Sequence, residues 1–332
     1  MSINYDCIFD STVTFEAFKY QKEAVDAIKD LEYGAIFHEQ GLGKTKIAID
    51  ILLYWLNNSV DTVIIVTKKT LVLNWITEFQ NHTTLTPEIL SSKKSDNYYI
   101  FNSPVRVIVT NFETISSEKE RMKLFLQTRN VAIIIDESTK IKNPEAKLTK
   151  DFFELSPYFS HRIIMTGTPI ANRPYDIWAQ IYFLDMGKSL GSDFNAFRTN
   201  CDLTNDLDSD KNKAVTFEKS VSSIFSKIRN FTVRETKNSG IITLPKKNYH
   251  TILVPFEDRQ RNMYESLCEE MQISVVKGDE TILDESPEAI KRLLRLVQIT
   301  SNPALLDDSY TYTSAKQKKL EELIRDIQLM AN

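Results

Sequence analysis

Four short runs limit the fold more than any other feature of this chain. Val63–Val66, Val105–Val109, Val131–Ile135 and Ile163–Met165 are rich in Val and Ile, and none keeps up the polar–apolar alternation of a strand with one wet face. A strand stays apolar on both sides only when both sides are covered, and helices on the two faces of a parallel sheet do that. Helix-like stretches lie between the runs. Residues 19–31 bring Val25, Ile28 and Leu31 to one face at helical spacing, and Thr45–Leu56 is strongly apolar. Ala35-Ile36-Phe37 reads as a further strand just before that second helix. The predicted class is α/β, a doubly wound parallel sheet. The runs are far too short to span a bilayer, and the acidic N-terminus MSINYDCIFDST has no apolar core, which argues against a signal peptide.

Beyond about residue 185 the pattern changes. A polar, acidic stretch from Asn200 to Lys213 reads as a loop, and helical periodicity returns at Phe217–Arg229, Arg259–Ile273, Glu288–Ile299 and Lys316–Met330, with no clear sheet. The expected division is residues 1–184 as the sheet lobe, 185–313 as a mostly helical insertion packed on it, and 314–332 as the opening of a further lobe. Met330-Ala331-Asn332 carries no C-cap signal, so the expectation is a truncated chain. Cys7, Cys201 and Cys268 are odd in number and far apart, which argues against disulfides and a structural metal and favours a reducing compartment. A net charge of −4 excludes a wholly basic nucleic-acid surface, though not a local basic patch.

Only 8 glycines occur in 332 residues, and three fall in two short strings: Gly41 and Gly43 in HEQGLGKT, and Gly167 in MTGTP. Gln40-Gly41-Leu42-Gly43-Lys44-Thr45 lies between a buried strand and a helix. Phosphate calls for this arrangement: glycines let backbone N–H groups approach the oxygens, the helix start adds its dipole, Lys44 reaches the β- and γ-phosphates, and Thr45 offers a hydroxyl to Mg²⁺. His38 stands where the usual motif has its first glycine. A second string, Ala132-Ile133-Ile134-Ile135-Asp136-Glu137, brings two carboxylates to the end of an aliphatic strand, where ligands of open α/β sheets bind. Asp136 is expected to hold Mg²⁺, and Glu137 to orient and deprotonate an attacking water. Taken singly, a strand ending in Asp-Glu is as well explained by helix capping; the two strings together indicate an NTPase. A GTPase reader is missing, since Asn212-Lys213 is followed by Ala214-Val215, and neither H-R-D nor D-F-G occurs.

Tyr20-Gln21, HEQGLGKT, IIIDESTKIKN (133–143) and MTGTPIAN (165–172) together resemble the ordered motifs of superfamily-two helicase-like ATPases, and most closely the SWI/SNF-type branch of DNA translocases. Leu73–Phe79, Val109–Thr114, Val233–Lys237, Leu244–Lys247, Gln260…Tyr264 and Leu294–Pro303 match further strings of that branch in order, so the resemblance covers about residues 15–330. Ser138, Thr139 and Glu235 depart from it, standing where Ala, His and a second Arg are usual.

The resemblance implies a RecA-like lobe that binds ATP and Mg²⁺, with Gln21 reading adenine and Thr166, Gly167 and Thr168 coupling nucleotide state to nucleic acid. It implies duplex DNA, or RNA, as partner, gripped at the backbone by Lys68, Lys69 and Thr110. A second RecA-like lobe with an arginine finger is expected outside this chain. Six basic residues against one acid between Lys227 and Tyr249, Arg234 and Lys237 among them, form a further expected phosphate-binding stretch. The whole protein is then expected to be a DNA-stimulated ATP hydrolase and duplex translocase; the fragment alone is expected to turn over little. The rivals are a restriction or recombination motor, a strand-separating helicase, a small-molecule kinase, and a nucleotide-dependent binding module without turnover. The expected location is cytoplasmic, in a bacterial or phage-infected cell given the Lys-, Ile- and Asn-rich composition, or nuclear in a eukaryote.

Overall fold

The computed structural model describes residues 16–170, 173–201, 219, 222–240, 248–269, 272–277, 280–285 and 289–330. The expectations for Cys7, for Ala171-Asn172, for most of Asn200–Lys213 and for Leu244–Lys247 lie outside these residues. The chain forms two compact units, residues 1–244 and 245–332. The boundary between them falls inside the stretch 185–313 that was expected to pack on the sheet lobe.

That unit is built on seven parallel strands: β1 (Tyr33–Ile36), β2 (Thr62–Thr67), β3 (Glu88–Ile89), β4 (Val107–Asn111), β5 (Val131–Asp136), β6 (His161–Met165) and β7 (Thr232–Val233), in the order β3-β4-β2-β5-β6-β1-β7. The predicted doubly wound sheet is present, and the strand period of two explains its interior. Ile64, Val66, Ile108, Ile133, Ile135 and Ile164 face one core, filled out by Phe112, Phe125, Phe152 and Trp178. Val63, Ile65, Val107, Val109, Ile134 and Met165 face the other, under helices α1 (Lys19–Ile28), α2 (Lys44–Asn58) and α3 (Val72–His82). All six residues of β2 and of β5 are buried, which is why their sequences show no alternation. Each fully buried Val or Ile contributes about 1.5–3 kcal/mol.

Two parts of the reading beyond residue 185 need correction. β7 adds an edge strand beside β1, and Gln272–Lys277 pairs antiparallel with Glu280–Glu285. β7 is only two residues long, too short to show a period. The hairpin was legible, as two β-branched runs around Gly278-Asp279, a pair of turn formers; the helical pattern of Arg259–Ile273 overlaps its first two residues, and the helix ends at Glu269. The rest of the second unit is helical, with Asp258–Glu269, Ala289–Ser301 and Ala315–Met330. Leu267, Ile299 and Leu306 form its small core, and buried Gln260 donates to the Ile299 carbonyl at 2.7 Å. No described helix is long and apolar enough to cross a membrane.

Candidate functional site

The chain leaves β1 into residues 37–43 and enters α2 at Lys44. Gly41 and Gly43 hold φ of 83° and 66°, the left-handed region that a side chain disfavours. Gly43 is the N-cap of α2 and no side chain caps that helix, so its first N–H groups point into the loop without a side-chain acceptor. Lys44 Nζ donates to the carbonyls of His38 at 3.0 Å and Glu39 at 3.4 Å. Burial lowers the Lys44 pKa, and the carboxylates of Asp136, Glu137 and Glu39 oppose that shift.

β6 lies between β1 and β5, so the loops after all three strands converge at their carboxyl ends. Gln21, Gln40, Gly41, Gly43, Lys44, Thr45, Asp136 and Glu137 border one cavity of about 550 Å³. Asp136 Oδ2 accepts from Thr67 Oγ1 at 3.1 Å and from Trp75 Nε1 at 3.0 Å. Burial raises the Asp136 pKa, repulsion from Glu137 adds to it, and the Trp75 and Thr67 donors hold it down. Glu137 sits at φ 55°, ψ 50°, a left-handed conformation in a non-glycine residue. Such strain costs about 1–3 kcal/mol and persists where the surroundings enforce it.

Of the other expected site residues, Gln21 borders this cavity, while Leu42, Thr166, Gly167 and Thr168 do not. Gln21 is buried; its Oε1 accepts from the Phe18 N–H at 2.8 Å and its Nε2 donates to the Leu42 carbonyl at 3.5 Å. Tyr20 donates to the same Leu42 carbonyl at 3.2 Å, so α1 clamps the phosphate loop from outside. Thr166 is buried, its hydroxyl accepting from the Thr168 N–H at 3.2 Å. Gly167 presses on Gln40: a Cβ there would stand 2.9 Å from Gln40 Cγ and 3.6 Å from Lys44 Nζ. A buried bridge also joins the loops after β5 and β6. Ser138 Oγ donates to Gln180 Oε1 at 2.7 Å, and Gln180 Nε2 donates to the Pro169 carbonyl at 2.8 Å.

A second cavity, of about 860 Å³, opens at the same sheet edge. Lys68, Lys69, Lys94 and Lys140 border it together with Ser91 and Asn111. Thr110 is buried, donating to the Leu90 carbonyl at 3.3 Å, and does not border it. Arg234 lies over the Phe225 ring. Lys237 is placed at the phosphate loop instead of the second cavity: its Nζ stands 3.7 Å from where a Cβ on Gly41 would be, and its backbone N–H donates to Glu39 Oε2 at 2.8 Å. Thr67, Trp75 and Phe18 carried no expected role. Trp75 lies in the quoted Leu73–Phe79 string, but its hydrogen bond to Asp136 spans 61 positions and leaves no local signal.

This is the loop and carboxylate arrangement of a P-loop nucleotide-binding lobe. Residues 20–305 match the SNF2-related domain family, and the chain belongs to it; the likeness drawn from the motifs is borne out at that level. Family membership carries ATP binding with it. The chain is 28% identical over 263 residues to an uncharacterized ATP-dependent helicase of Mycoplasma genitalium, covering 74% of this chain and 23% of that protein. It is 24% identical over 313 residues to the ISWI chromatin-remodeling complex ATPase ISW1 of Saccharomyces cerevisiae, covering 89% of this chain and 26% of that protein. The chain thus spans about a quarter of the length of these curated relatives. In fold it is similar to the Sulfolobus solfataricus SWI2/SNF2 ATPase core in complex with dsDNA, with a TM-score of 0.59 at 23% identity over 95% of this chain and 65% of that one.

Proposed function

We propose that this chain is the ATP-binding half of a DNA-dependent ATPase that tracks along duplex DNA. One observation carries the reading. Lys44 and the Asp136–Glu137 pair face a single cavity, and four lysines border a second cavity at the same edge of the sheet. The first cavity fits Mg-ATP. Two left-handed glycines and an uncapped helix start form a cradle for phosphate. Thr45 and Asp136 would hold Mg²⁺, which when bound neutralises charge on the phosphates.

The chain's own residues supply the rest. Lys44 is already desolvated, which strengthens its attraction for phosphate oxygens. Thr67 and Trp75 both donate to one oxygen of Asp136 and fix its orientation. Glu137 takes the proton of the attacking water. By family likeness, Gln21 reads adenine. Gly167 packs against Gln40 of the phosphate loop, so a change in that loop is passed to the turn of Thr166, Gly167 and Thr168 after β6. Duplex DNA binds through its backbone at Lys68 and Lys69, with Lys94 and Lys140 beside them, and little sequence is read. The second RecA-like lobe, by family likeness, closes on the ATP and supplies the arginine finger.

The test is phosphate release by the full-length protein with and without duplex DNA, beside Glu137→Gln. DNA-stimulated release that vanishes in the variant is expected. ATP binding without release in either condition would leave a nucleotide-dependent binding module and overturn the translocase reading.

A further inference from the structure

We propose that Lys68 is the residue through which bound nucleic acid controls Glu137. The inference rests on the reading of Glu137 as the base that activates water. β2 and β5 are neighbours, with Val66 opposite Ile135. Lys68 and Glu137 each lie two positions beyond that pair, so they leave adjacent strands at the same end. Their side chains meet there, with Lys68 Nζ 3.5 Å from Glu137 Oε2. Lys68 borders the lysine-lined cavity and Glu137 borders the phosphate-loop cavity. The ion pair therefore links a residue that borders one cavity to a residue that borders the other.

The Lys68 side chain is 49% exposed and that of Glu137 24%. An ion pair this open to water is weak and exchangeable. A phosphodiester in the second cavity meets Lys69, Lys94 and Lys140 as well as Lys68, and it competes for the Lys68 ammonium. Lys140 has its own carboxylate partner, Glu113, at 3.2 Å. Of the two pairs, only the Lys68 pair reaches into the ATP cavity. Without nucleic acid, Lys68 keeps the Glu137 carboxylate engaged and poorly available to accept a proton. With nucleic acid, the ammonium turns to the phosphate and Glu137 is released for water.

Two measurements on the full-length protein test this. The first is phosphate release without DNA and at saturating duplex. Removing an exposed pair changes the balance by about two- to fivefold. Lys68→Met should therefore raise the DNA-free rate by that factor and shrink the stimulation ratio to match, and Lys68→Arg should restore the wild-type ratio. A Lys68 that only grips DNA predicts no rise in the DNA-free rate, and a rate at or below wild type overturns the proposal. The second measurement needs no turnover. The side-chain carboxyl NMR signal of Glu137, assigned through Glu137→Gln, should move on adding duplex to wild type. It should start near that end point in Lys68→Met and stay there. Equal movement in both proteins overturns the proposal. Absence of DNA stimulation in wild type would overturn the translocase reading, and it overturns this proposal too unless duplex still moves the Glu137 signal in wild type and not in Lys68→Met.

Discussion

The amide of Gln21 lies across Gly43, so that a Cβ on Gly43 would overlap Gln21 Nε2. The glycine of the phosphate loop and the glutamine of α1 are thus one packing unit. Gly43 also sits at φ 66°, where a side chain costs about 1–2 kcal/mol. Gly43→Ala should therefore lose ATP affinity by more than about tenfold, since it displaces the Gln21 amide and strains the cradle. Gly191 separates the two effects: its φ is 84° but a Cβ there would meet nothing within 4 Å. Gly191→Ala should lower stability by about 1 kcal/mol and leave ATP binding unchanged. Calorimetric titration of both variants decides it; equal affinity in Gly43→Ala and wild type would remove Gln21 from the site.

Lys44→Ala removes a half-buried cation that interacts with Asp136 and Glu137. Hydrogen bonds to charged groups contribute about 1.5–3 kcal/mol, so ATP should bind about 10- to 150-fold more weakly. ADP should lose less, because the lost contact is to the β/γ end. Equal losses for ATP and ADP would place Lys44 elsewhere on the nucleotide.

Lys69 borders the second cavity. If that cavity takes the DNA backbone, Lys69→Ala should weaken every duplex alike and reduce the slope of log affinity against log salt by about 1. Fluorescence anisotropy over a range of salt, on two unrelated duplexes, measures both. Loss on one sequence only, or an unchanged slope, would move the DNA elsewhere.

His38 is buried, and neither ring nitrogen has a hydrogen-bond partner of good geometry. Burial lowers its pKa; Glu235 and the Val233 backbone oppose that, and Lys44 reinforces it. Between the lowered folded value and the ordinary 6.5 the unfolded chain binds the proton and the folded chain does not. Stability therefore falls as pH drops below 6.5, by up to about 1.4 kcal/mol per pH unit, until the folded value is passed. His38→Leu should flatten this limb. Urea unfolding at about pH 5 and about pH 8 compares them, and parallel curves for the two proteins would show that His38 does not titrate on unfolding.

Much of the sheet unit was legible because its signals are local. β2 and β5 are fully buried and so unbroken in Val and Ile, and the glycines at 41 and 43 mark positive φ. What could not be read was set by contacts between distant positions. Trp75 reaches Asp136 and Lys68 reaches Glu137 only because β2 and β5 lie side by side, and nothing in a single string announces that pairing. The place of Lys237 beside Gly41 was hidden in the same way, because it depends on β7 joining the sheet beside β1.

Turnover by residues 1–332 alone follows from what borders the ATP cavity. Phosphoryl transfer builds charge on the γ-phosphate oxygens, and the protein contributes mainly positive charge in fixed positions. Lys44 and Lys46 border the cavity, and no arginine does among the described residues. Arg234 lies over the Phe225 ring and Arg173 over the Tyr175 ring. An arginine finger is worth about 10³–10⁵ in rate, or roughly 4–7 kcal/mol of barrier. This chain by itself should therefore bind ATP, hydrolyse it barely above background, and show little DNA stimulation. Phosphate release by residues 1–332, with and without duplex, is read beside Glu137→Gln. Robust DNA-stimulated release that disappears in that variant would mean that the lobe supplies its own transition-state charge, with Lys237 at the phosphate loop as the first residue to test.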